Sequence, residues 1–116
     1  MHIKITKNKY DANFSRSSDE GMSFNANLAM GANTDGTYYC TIGINDWSKN
    51  SQTSEHTTYS EAEYVLEYGL FNKIGFVQVS NCTFQCTLPC EMSLSQTLGY
   101  LTSASQRYNW TIERDY

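Results

Sequence analysis

Three cysteines at a constant interval are the residues best suited to chemistry in this sequence. They recur every four residues towards the C-terminal end of the chain: Cys82, Cys86 and Cys90. Phe84 and Leu88 alternate with polar residues between them, which predicts a strand, and four strand residues span about 13 Å. Zinc holds each sulfur about 2.3 Å away, so this spacing does not form a zinc site. Free cysteine is often buried as a small apolar residue, and we expect these thiols to pack against a helix.

A catalytic cysteine needs a base within hydrogen-bond distance. The two histidines, His2 and His56, stand in no known catalytic sequence, and Cys40 with His56 is the one combination that the spacing leaves open. The sequence contains neither a phosphate-binding glycine loop nor the helix motif of a metalloprotease. We therefore predict no catalytic residue, no metal and no cofactor. A cysteine- or zinc-dependent enzyme remains as an alternative.

The charges of the chain are unevenly distributed. There are 12 Asp and Glu against 8 Lys and Arg, which gives a net charge of −4. Between Ser54 and Asn72, which we call the acidic segment, there are four acids and neither Lys nor Arg: Glu55, Glu61, Glu63 and Glu67. The other eight acids are matched by the eight bases, so the whole net charge resides in the acidic segment.

A helix is predicted over Tyr59–Phe71, within the acidic segment. Ser60 and Glu63 have the capping-box spacing, in which each side chain bonds the other residue's backbone N–H. Lys73 suits the negative end of the helix dipole, and Gly75 is the expected terminator. The side expected to face the core is small and aliphatic: Ala62, Val65, Leu66 and Gly69.

The opposite side of this helix collects acidic and aromatic residues: Glu63, Tyr64, Glu67, Tyr68 and Phe71. With Glu55 and Trp47 from the preceding loop they make up the acidic–aromatic patch, the predicted partner-binding surface. Aromatic residues offer a partner a large contact area, and carboxylates select a basic surface and speed the encounter. The alternative is that neighbouring loops cover the aromatic rings.

The clearest structural pattern is a β-hairpin. Met22–Met30 and Tyr38–Ile44 alternate apolar and polar residues around the turn Gly31–Gly36. Further strands are predicted before the hairpin and after the first helix: His2–Thr6, Tyr10–Phe14, Phe76–Ser80, Cys82–Met92 and Asn109–Arg114. Near Ser80 the apolar residues change from odd-numbered to even-numbered positions, which requires a turn or a bulge. Pro89 must end a strand or lie at a sheet edge.

A second helix is predicted from Ser93 or Ser95 to about Tyr108, with a buried stripe of leucines: Leu94, Leu98 and Leu101. These elements predict an α+β fold, in which a single antiparallel β-sheet of about five to six strands carries two α-helices packed on one face. A length of 116 residues fits one α+β domain that spans residues 1–116.

Membranes and nucleic acids are not expected partners. No run approaches the roughly 20 apolar residues of a membrane span. The start shows no apolar signal segment, which predicts a cytoplasmic protein with reduced thiols. A nucleic-acid site would have to use the basic N-terminal residues Lys4, Lys7, Lys9 and Arg16, but the chain is acidic overall. Bases on an edge strand more often prevent sheets from pairing with each other.

The expected function is therefore non-enzymatic. The acidic–aromatic patch predicts a small inhibitor that occludes a basic surface of a partner protein, such as a mobile-element anti-defence protein of the anti-CRISPR kind in the host cytoplasm. This prediction rests on size and charge and not on a motif. An immunity protein that neutralises a toxin is an alternative. A homodimeric structural subunit, paired through the hairpin or the Phe76–Met92 edge, is another, so the chain is expected to be a monomer or a homodimer.

Overall fold

The computed structural model describes residues 1–8, 23–49, 52–53 and 69–115. Seven strands and two helices lie within these ranges: β1 His2–Lys7, β2 Ser23–Ala32, β3 Tyr38–Lys49, β4 Gln52–Thr53, α1 Leu70–Lys73, β5 Val77–Ser80, β6 Thr83–Leu88, α2 Leu94–Gln106 and β7 Trp110–Arg114. The described strands form one sheet in which every neighbouring pair is antiparallel. The predicted α+β class with a single antiparallel sheet is therefore confirmed. The predicted strand Tyr10–Phe14 lies outside the described residues.

The sheet has the strand order β5-β6-β3-β2-β1-β7, and the short strand β4 pairs with the far end of β3. β3 is the central strand, because it pairs with β2 along one side and with β6 and β4 along the other. β5 and β7 are the outermost described strands in this order. The last strand of the chain thus lies next to the first, and this makes β1 an interior strand.

The expectation that the basic N-terminal strand lies at a sheet edge is wrong. β1 pairs with β2 on one side and with β7 on the other, and its register sets Lys7 opposite Trp110. Lys7 is 2% exposed, and its Nζ lies 6.0 Å from the centre of the Trp110 ring, a cation–π distance. The alternation of β1 explains this burial, because Lys7 shares a face with Ile3 and Ile5.

The predicted hairpin is confirmed as β2 and β3, joined at residues 33–37. Asp35 Oδ1 accepts hydrogen bonds from the Thr37 N–H at 3.0 Å and from the Thr37 hydroxyl at 2.7 Å. Gly36 has φ +89, a left-handed conformation that residues with a Cβ rarely adopt. These turn contacts fix the register that places the apolar residues of both strands on one face.

The core lies on that face of the sheet. Its strand residues occupy alternate positions of five strands: Ile3, Ile5, Phe24, Ala26, Leu28, Cys40, Ile42, Ile44, Phe84, Leu88, Trp110 and Ile112. Cross-strand partners in the register share this face, as Leu28, Ile42 and Phe84 do in three adjacent strands. Apolar burial on one face is what the period-two pattern of the sequence predicts.

Helix α2 begins where the sequence predicts. Ser93 Oγ accepts a hydrogen bond from the Gln96 N–H at 3.1 Å, and Gln96 Oε1 accepts one from the Ser93 N–H at 2.8 Å, which completes a capping box. The predicted leucine stripe is only partly right, because Leu94 is exposed whereas Leu101 is buried.

The buried row of α2 is instead Thr97, Leu101 and Ser105. Their spacing of four residues places them one above the other on the helix. Thr97 Oγ1 lies 3.0 Å from the Ser93 carbonyl, and Ser105 Oγ donates to the Thr102 carbonyl at 3.1 Å. Because helix carbonyls accept these hydroxyl hydrogens, small polar residues can face the core without an unsatisfied donor.

The turn expected near Ser80 is present at residues 81 and 82, with a register irregularity in β5 between Gln78 and Ser80. Strand β6 ends at Leu88, directly before Pro89, as the missing N–H of proline requires. The predicted strand Cys82–Met92 is therefore shorter than expected at both ends. No helix in the described part of the chain is long and apolar enough to span a bilayer.

Candidate functional site

Most of the acidic–aromatic patch lies outside the described residues. This holds for five of its members: Glu55, Glu63, Tyr64, Glu67 and Tyr68. Of Trp47 the structure describes the backbone, which pairs with Phe24 in the β2–β3 register. Phe71 is the patch residue whose side chain can be located.

The prediction that Phe71 faces away from the core is wrong. Phe71 is 2% exposed, and its ring centre lies 4.5 Å from that of Phe84 and 5.6 Å from that of Phe76. The helical projection that placed Phe71 outside assumed one continuous helix through Gly69. Gly69 instead has the left-handed conformation φ 64, ψ 16, and α1 begins only at Leu70. Because a left-handed residue cannot belong to a continuous α-helix, the projection that included Gly69 does not apply to Phe71.

The end of α1 explains the orientation of Phe71. Gly75 has φ +95, its N–H bonds the Asn72 carbonyl at 3.3 Å, and the Phe76 N–H bonds the Phe71 carbonyl at 2.7 Å. This is the Schellman pattern of a glycine terminator, which usually brings the residue after the glycine against the residue five positions before it. Here those residues are Phe76 and Phe71, so the predicted terminator Gly75 itself turns Phe71 inward.

A cavity of about 250 Å³ opens next to α1, at the end of β6. It is lined by apolar and thiol-bearing side chains with few polar groups: Ile74, Gly75, Cys86, Thr87, Leu88, Pro89, Cys90, Met92 and Tyr100. The turn after α1, the last residues of β6 and the outer side of α2 bring these residues together. We call it the thiol cavity because Cys86 and Cys90 both line it.

Cys86 also faces a second cysteine across the sheet. The β3–β6 register sets Cys40 directly opposite Cys86. Both occupy positions of the apolar sheet face, since they share parity with Ile42 and Phe84, the next pair along these strands. Cys40 is fully buried, whereas Cys86 is half-buried at the wall of the thiol cavity. The two residues form a dithiol with one enclosed and one accessible sulfur.

The dithiol has an asymmetric acidity. A hydrogen bond with the Cys86 side chain, together with burial, raises the pKa of the Cys40 thiol. The same hydrogen bond lowers the pKa of Cys86, while burial opposes the shift. Cys86 is therefore the thiol that ionises first, and the thiolate is the reactive form of cysteine.

The remaining cysteines do not join this pair into a metal centre. Cys82 lies in the turn before β6 and is half-buried, and Cys90 lies beyond the strand end and is exposed. The expectation that all three regularly spaced cysteines pack on one strand face is wrong for Cys90, because β6 ends at Leu88 and Cys90 is exposed beyond it. Cys82 lies just before the strand and packs against the core, as Cys86 does. Among the residues that the structure describes, no three His, Cys, Asp or Glu side chains cluster as metal ligands.

A second cavity of about 230 Å³ adjoins the thiol cavity, and Met92 lines both. Its walls come from the end of β2, the start of β3 and the segment after β6: Met30, Gly31, Ala32, Tyr38, Glu91 and Met92. The Tyr38 hydroxyl approaches Glu91 Oε2 at 3.4 Å. This end of the sheet thus presents two adjacent cavities, of which the thiol cavity is the more apolar.

The edge strand β5 carries the largest exposed aliphatic residues of the described sheet. Val77 is 64% exposed and Val79 is 55% exposed. β5 pairs with β6 on one side and ends the strand order on the other. An edge strand with exposed apolar side chains is a template for pairing with another chain.

The cysteine dithiol is the feature that sequence reasoning missed. Cys40 and Cys86 both stand at apolar positions of their alternating runs, so each could be assigned to the core face. Nothing local indicates that β3 pairs with β6, or in which register, because 46 positions along the chain separate the two cysteines. The alternative partner of Cys40, His56, lies outside the described residues.

Comparisons of this chain with protein-family models, with curated proteins and with solved structures found no match.

Proposed function

We propose that this chain is a small non-enzymatic inhibitor that docks its acidic segment on a basic surface of a partner protein and occludes it. The observation that carries the proposal is the distribution of charge. Four acids and no Lys or Arg lie between Ser54 and Asn72, and they account for the whole net charge of −4. A concentration of one charge sign speeds association with a surface of the opposite sign and disfavours other partners.

The binding residues in this proposal are Glu63, Tyr64, Glu67 and Tyr68, together with Glu55 and Trp47. Phe71 has a different role. Its burial against Phe84 ties the C-terminal end of the acidic segment to the sheet. The proposal therefore assigns binding to residues before Gly69 and attachment to residues after it.

We further take both helices to pack on one face of the sheet. Phe71 of α1 contacts Phe84, and Thr97 of α2 lies 3.3 Å from Met30 Sδ. Phe84 is a core residue of the sheet, and Met30 packs against the same core. The fold would then have two layers, one of sheet and one of helices, and the C-terminal end of the acidic segment would belong to the helical layer.

The geometry around the cysteines supports a non-enzymatic function over a cysteine nucleophile. Cys40 is enclosed by the core and its pKa is raised, and both properties oppose attack on a substrate. Within the described part of the chain, the group that hydrogen-bonds the Cys86 side chain and shifts its pKa is the Cys40 thiol and not a base. A nucleophilic cysteine normally has a histidine or another base within hydrogen-bond reach.

The target of such an inhibitor depends on the genetic context in which the chain is encoded. In a mobile genetic element, the target would be a host defence effector whose basic surface handles nucleic acid, and the site of action would be the host cytoplasm. Beside a toxin gene, the same surface would make the chain an immunity protein. Four clustered charges are too few to imitate the phosphate lattice of DNA, which places one charge about every 1.7 Å. The partner is therefore expected to be recognised by aromatic contacts as well as by charge.

The test is a capture experiment with charge-matched variants. Tagged protein is incubated with lysate of the cells in which it is expressed, at low and at high salt. Wild type is expected to retain a basic partner protein at low salt and to release it at high salt. Glu63→Gln with Glu67→Gln, and separately Tyr64→Ala, should lose most of that partner.

The control removes the same charge elsewhere. Glu113→Gln with Asp115→Asn neutralises two exposed acids at the end of β7, outside the acidic segment. This control should retain the partner as wild type does. Retention by the Glu63/Glu67 variant with an intact circular dichroism spectrum, or equal loss in the control, would show that the acidic segment is not the binding site.

A second candidate function, the homodimeric subunit, is favoured by the exposed valines of β5. Pairing of two β5 edges would continue the sheet across a two-fold axis and cover Val77 and Val79. Light scattering over a range of concentrations measures this directly. A dimer that Val77→Lys dissociates, and that Tyr100→Lys at an exposed position of α2 leaves intact, would support it. A wild-type monomer at every concentration would exclude it.

A further inference from the structure

We infer that Cys40 and Cys86 form a reversible cross-strand disulfide when the protein meets hydrogen peroxide, with Cys86 as the attacking thiol and Cys40 as the resolving thiol. The inference does not depend on the proposed inhibitor function. It assigns a redox modification site to the centre of the sheet, where β3 and β6 meet.

The register brings the two residues within bonding range. Directly opposed residues of antiparallel strands have Cα atoms roughly 4.5–5.5 Å apart. Disulfides join residues whose Cα atoms are about 4.4–6.8 Å apart. Cys40 and Cys86 are such partners, and both side chains lie on the apolar face of the sheet. Closing the bond therefore needs side-chain rotation and not movement of a strand.

The two sulfurs differ in solvent access. A two-step oxidation requires an accessible thiol that meets the peroxide and a second thiol next to it. Cys86 lines the open thiol cavity, whose volume of about 250 Å³ admits a molecule as small as peroxide. Cys40 is fully buried and does not line this cavity, whereas its cross-strand partner Cys86 does. The hydrogen bond that lowers the pKa of Cys86 also favours its thiolate.

The chemistry balances without a further reagent. The Cys86 thiolate attacks one peroxide oxygen, the O–O bond breaks, and the products are the Cys86 sulfenic acid and a hydroxide that takes up a proton to become water. The Cys40 sulfur then attacks the Cys86 sulfur. The S–O bond breaks, hydroxide leaves as water with the Cys40 proton, and the S–S bond forms. Two thiols lose two electrons, and one peroxide gains them.

The bond would close a loop that runs from β3 to β6 and contains the whole acidic segment. A cross-link that spans a long loop restricts the unfolded chain more than one that spans a short loop. We expect oxidation to raise the melting temperature by roughly 5–15 °C, the change that a disulfide of ordinary strength gives in a domain of this size.

The experiment uses the full chain, reduced with dithiothreitol, freed of reductant and exposed to hydrogen peroxide. Free thiols are alkylated, the sample is reduced, and newly released thiols receive a second label before peptide mapping. The expected result is a monomer whose mass falls by about 2 Da, with Cys40 and Cys86 carrying the second label and Cys82 and Cys90 the first. Dithiothreitol should reverse the change.

Matched variants separate the pair from the other thiols. Cys86→Ser should abolish the mass loss, and Cys82→Ser, also half-buried, should leave it unchanged. The differential labelling of wild type does not require any variant to fold. Four unchanged thiols after peroxide, a link between Cys86 and Cys90 across the thiol cavity, or disulfide-linked dimers would each overturn the inference.

Discussion

Replacement of Phe71 by Ala tests the corrected position of this residue. Phe71 is 2% exposed and contacts two other aromatic rings, at 4.5 and 5.6 Å. A buried aromatic side chain removes at least about 150 Å² from water, worth roughly 4 kcal/mol at 25 cal/mol per Å². Measured Phe→Ala changes in cores cost about 3–5 kcal/mol. We therefore expect Phe71→Ala to lower the free energy of unfolding by about 4 kcal/mol.

The assay is urea unfolding followed by circular dichroism, with the midpoint compared at a constant slope. Phe71→Leu keeps most of the apolar volume and should cost less than half as much as Phe71→Ala. Tyr100→Ala removes an aromatic ring that is 55% exposed on α2, so it should change the unfolding free energy by no more than about 0.5 kcal/mol.

The expected loss is large against a total stability of about 5–15 kcal/mol, so Phe71→Ala should be partly unfolded in moderate urea. A cost below about 1 kcal/mol, similar to that of Tyr100→Ala, would refute the packing of Phe71 against Phe84. It would indicate that Phe71 lies at the surface, as the helical projection of the sequence predicts.

Three further perturbations follow from single contacts. Ser93→Ala removes the capping box of α2 and should cost about 1 kcal/mol, seen as a lower urea midpoint. A Cβ at Gly31 would overlap the ring of its cross-strand neighbour Tyr39. Gly31→Ala should therefore lower the free energy of unfolding by about 1 kcal/mol in wild type and leave it unchanged in a Tyr39→Ala background, which a double-mutant cycle measures. Hydrogen bonds from Thr37 hold the pKa of Asp35 below its ordinary value of 3.8, so its ionised form stabilises the hairpin above that pH and the gain disappears as the pH falls through the lowered pKa. Thermal melting should therefore show Asp35→Asn less stable than wild type at pH 7 and the difference shrinking in acid.

The sequence predicted those elements whose signals are local. The β2–β3 hairpin follows from alternation on both sides of a glycine-rich turn, and α2 begins at the residue whose capping partner lies three positions later. The end of α1 at Gly75 and the end of β6 before Pro89 are equally local, since each depends on what one residue's backbone can adopt.

The errors arose where long-range pairing or one backbone conformation decides the outcome. β1 became an interior strand because the last strand pairs with it, and no local pattern indicates that pairing. The alternation of β1 places Lys7 on the face of Ile3 and Ile5, but its position opposite Trp110 follows from the pairing with β7. A helical projection cannot reveal that Gly69 adopts a left-handed conformation, and this conformation invalidated the placement of Phe71. The Phe71–Gly75–Phe76 spacing of a Schellman motif was the available signal. The pairing of Cys40 with Cys86 had no such signal, because the residues of β3 and β6 do not by themselves indicate that these two strands are neighbours.

The acidic segment and the dithiol also differ in how far the sequence alone indicates them. The concentration of acids between Ser54 and Asn72 is a property of composition and is visible in the sequence. The dithiol and the thiol cavity form where β3, β6 and the segment after α1 meet, and no local pattern of the sequence indicates that meeting. The two sites also differ in chemistry, because one is proposed to bind a partner and the other to react with peroxide.

The central claim is that charge in the acidic segment drives binding, and the association rate constant with the captured partner tests it most directly. Surface plasmon resonance at low and at physiological salt would compare wild type, Glu63→Gln with Glu67→Gln, and the charge-matched control Glu113→Gln with Asp115→Asn. We predict that neutralisation at Glu63 and Glu67 lowers the association rate constant about tenfold at low salt. Physiological salt should reduce the difference in rate constant between this variant and wild type, and the control should associate as wild type does. Equal association rates for all three proteins at low salt would contradict the claim.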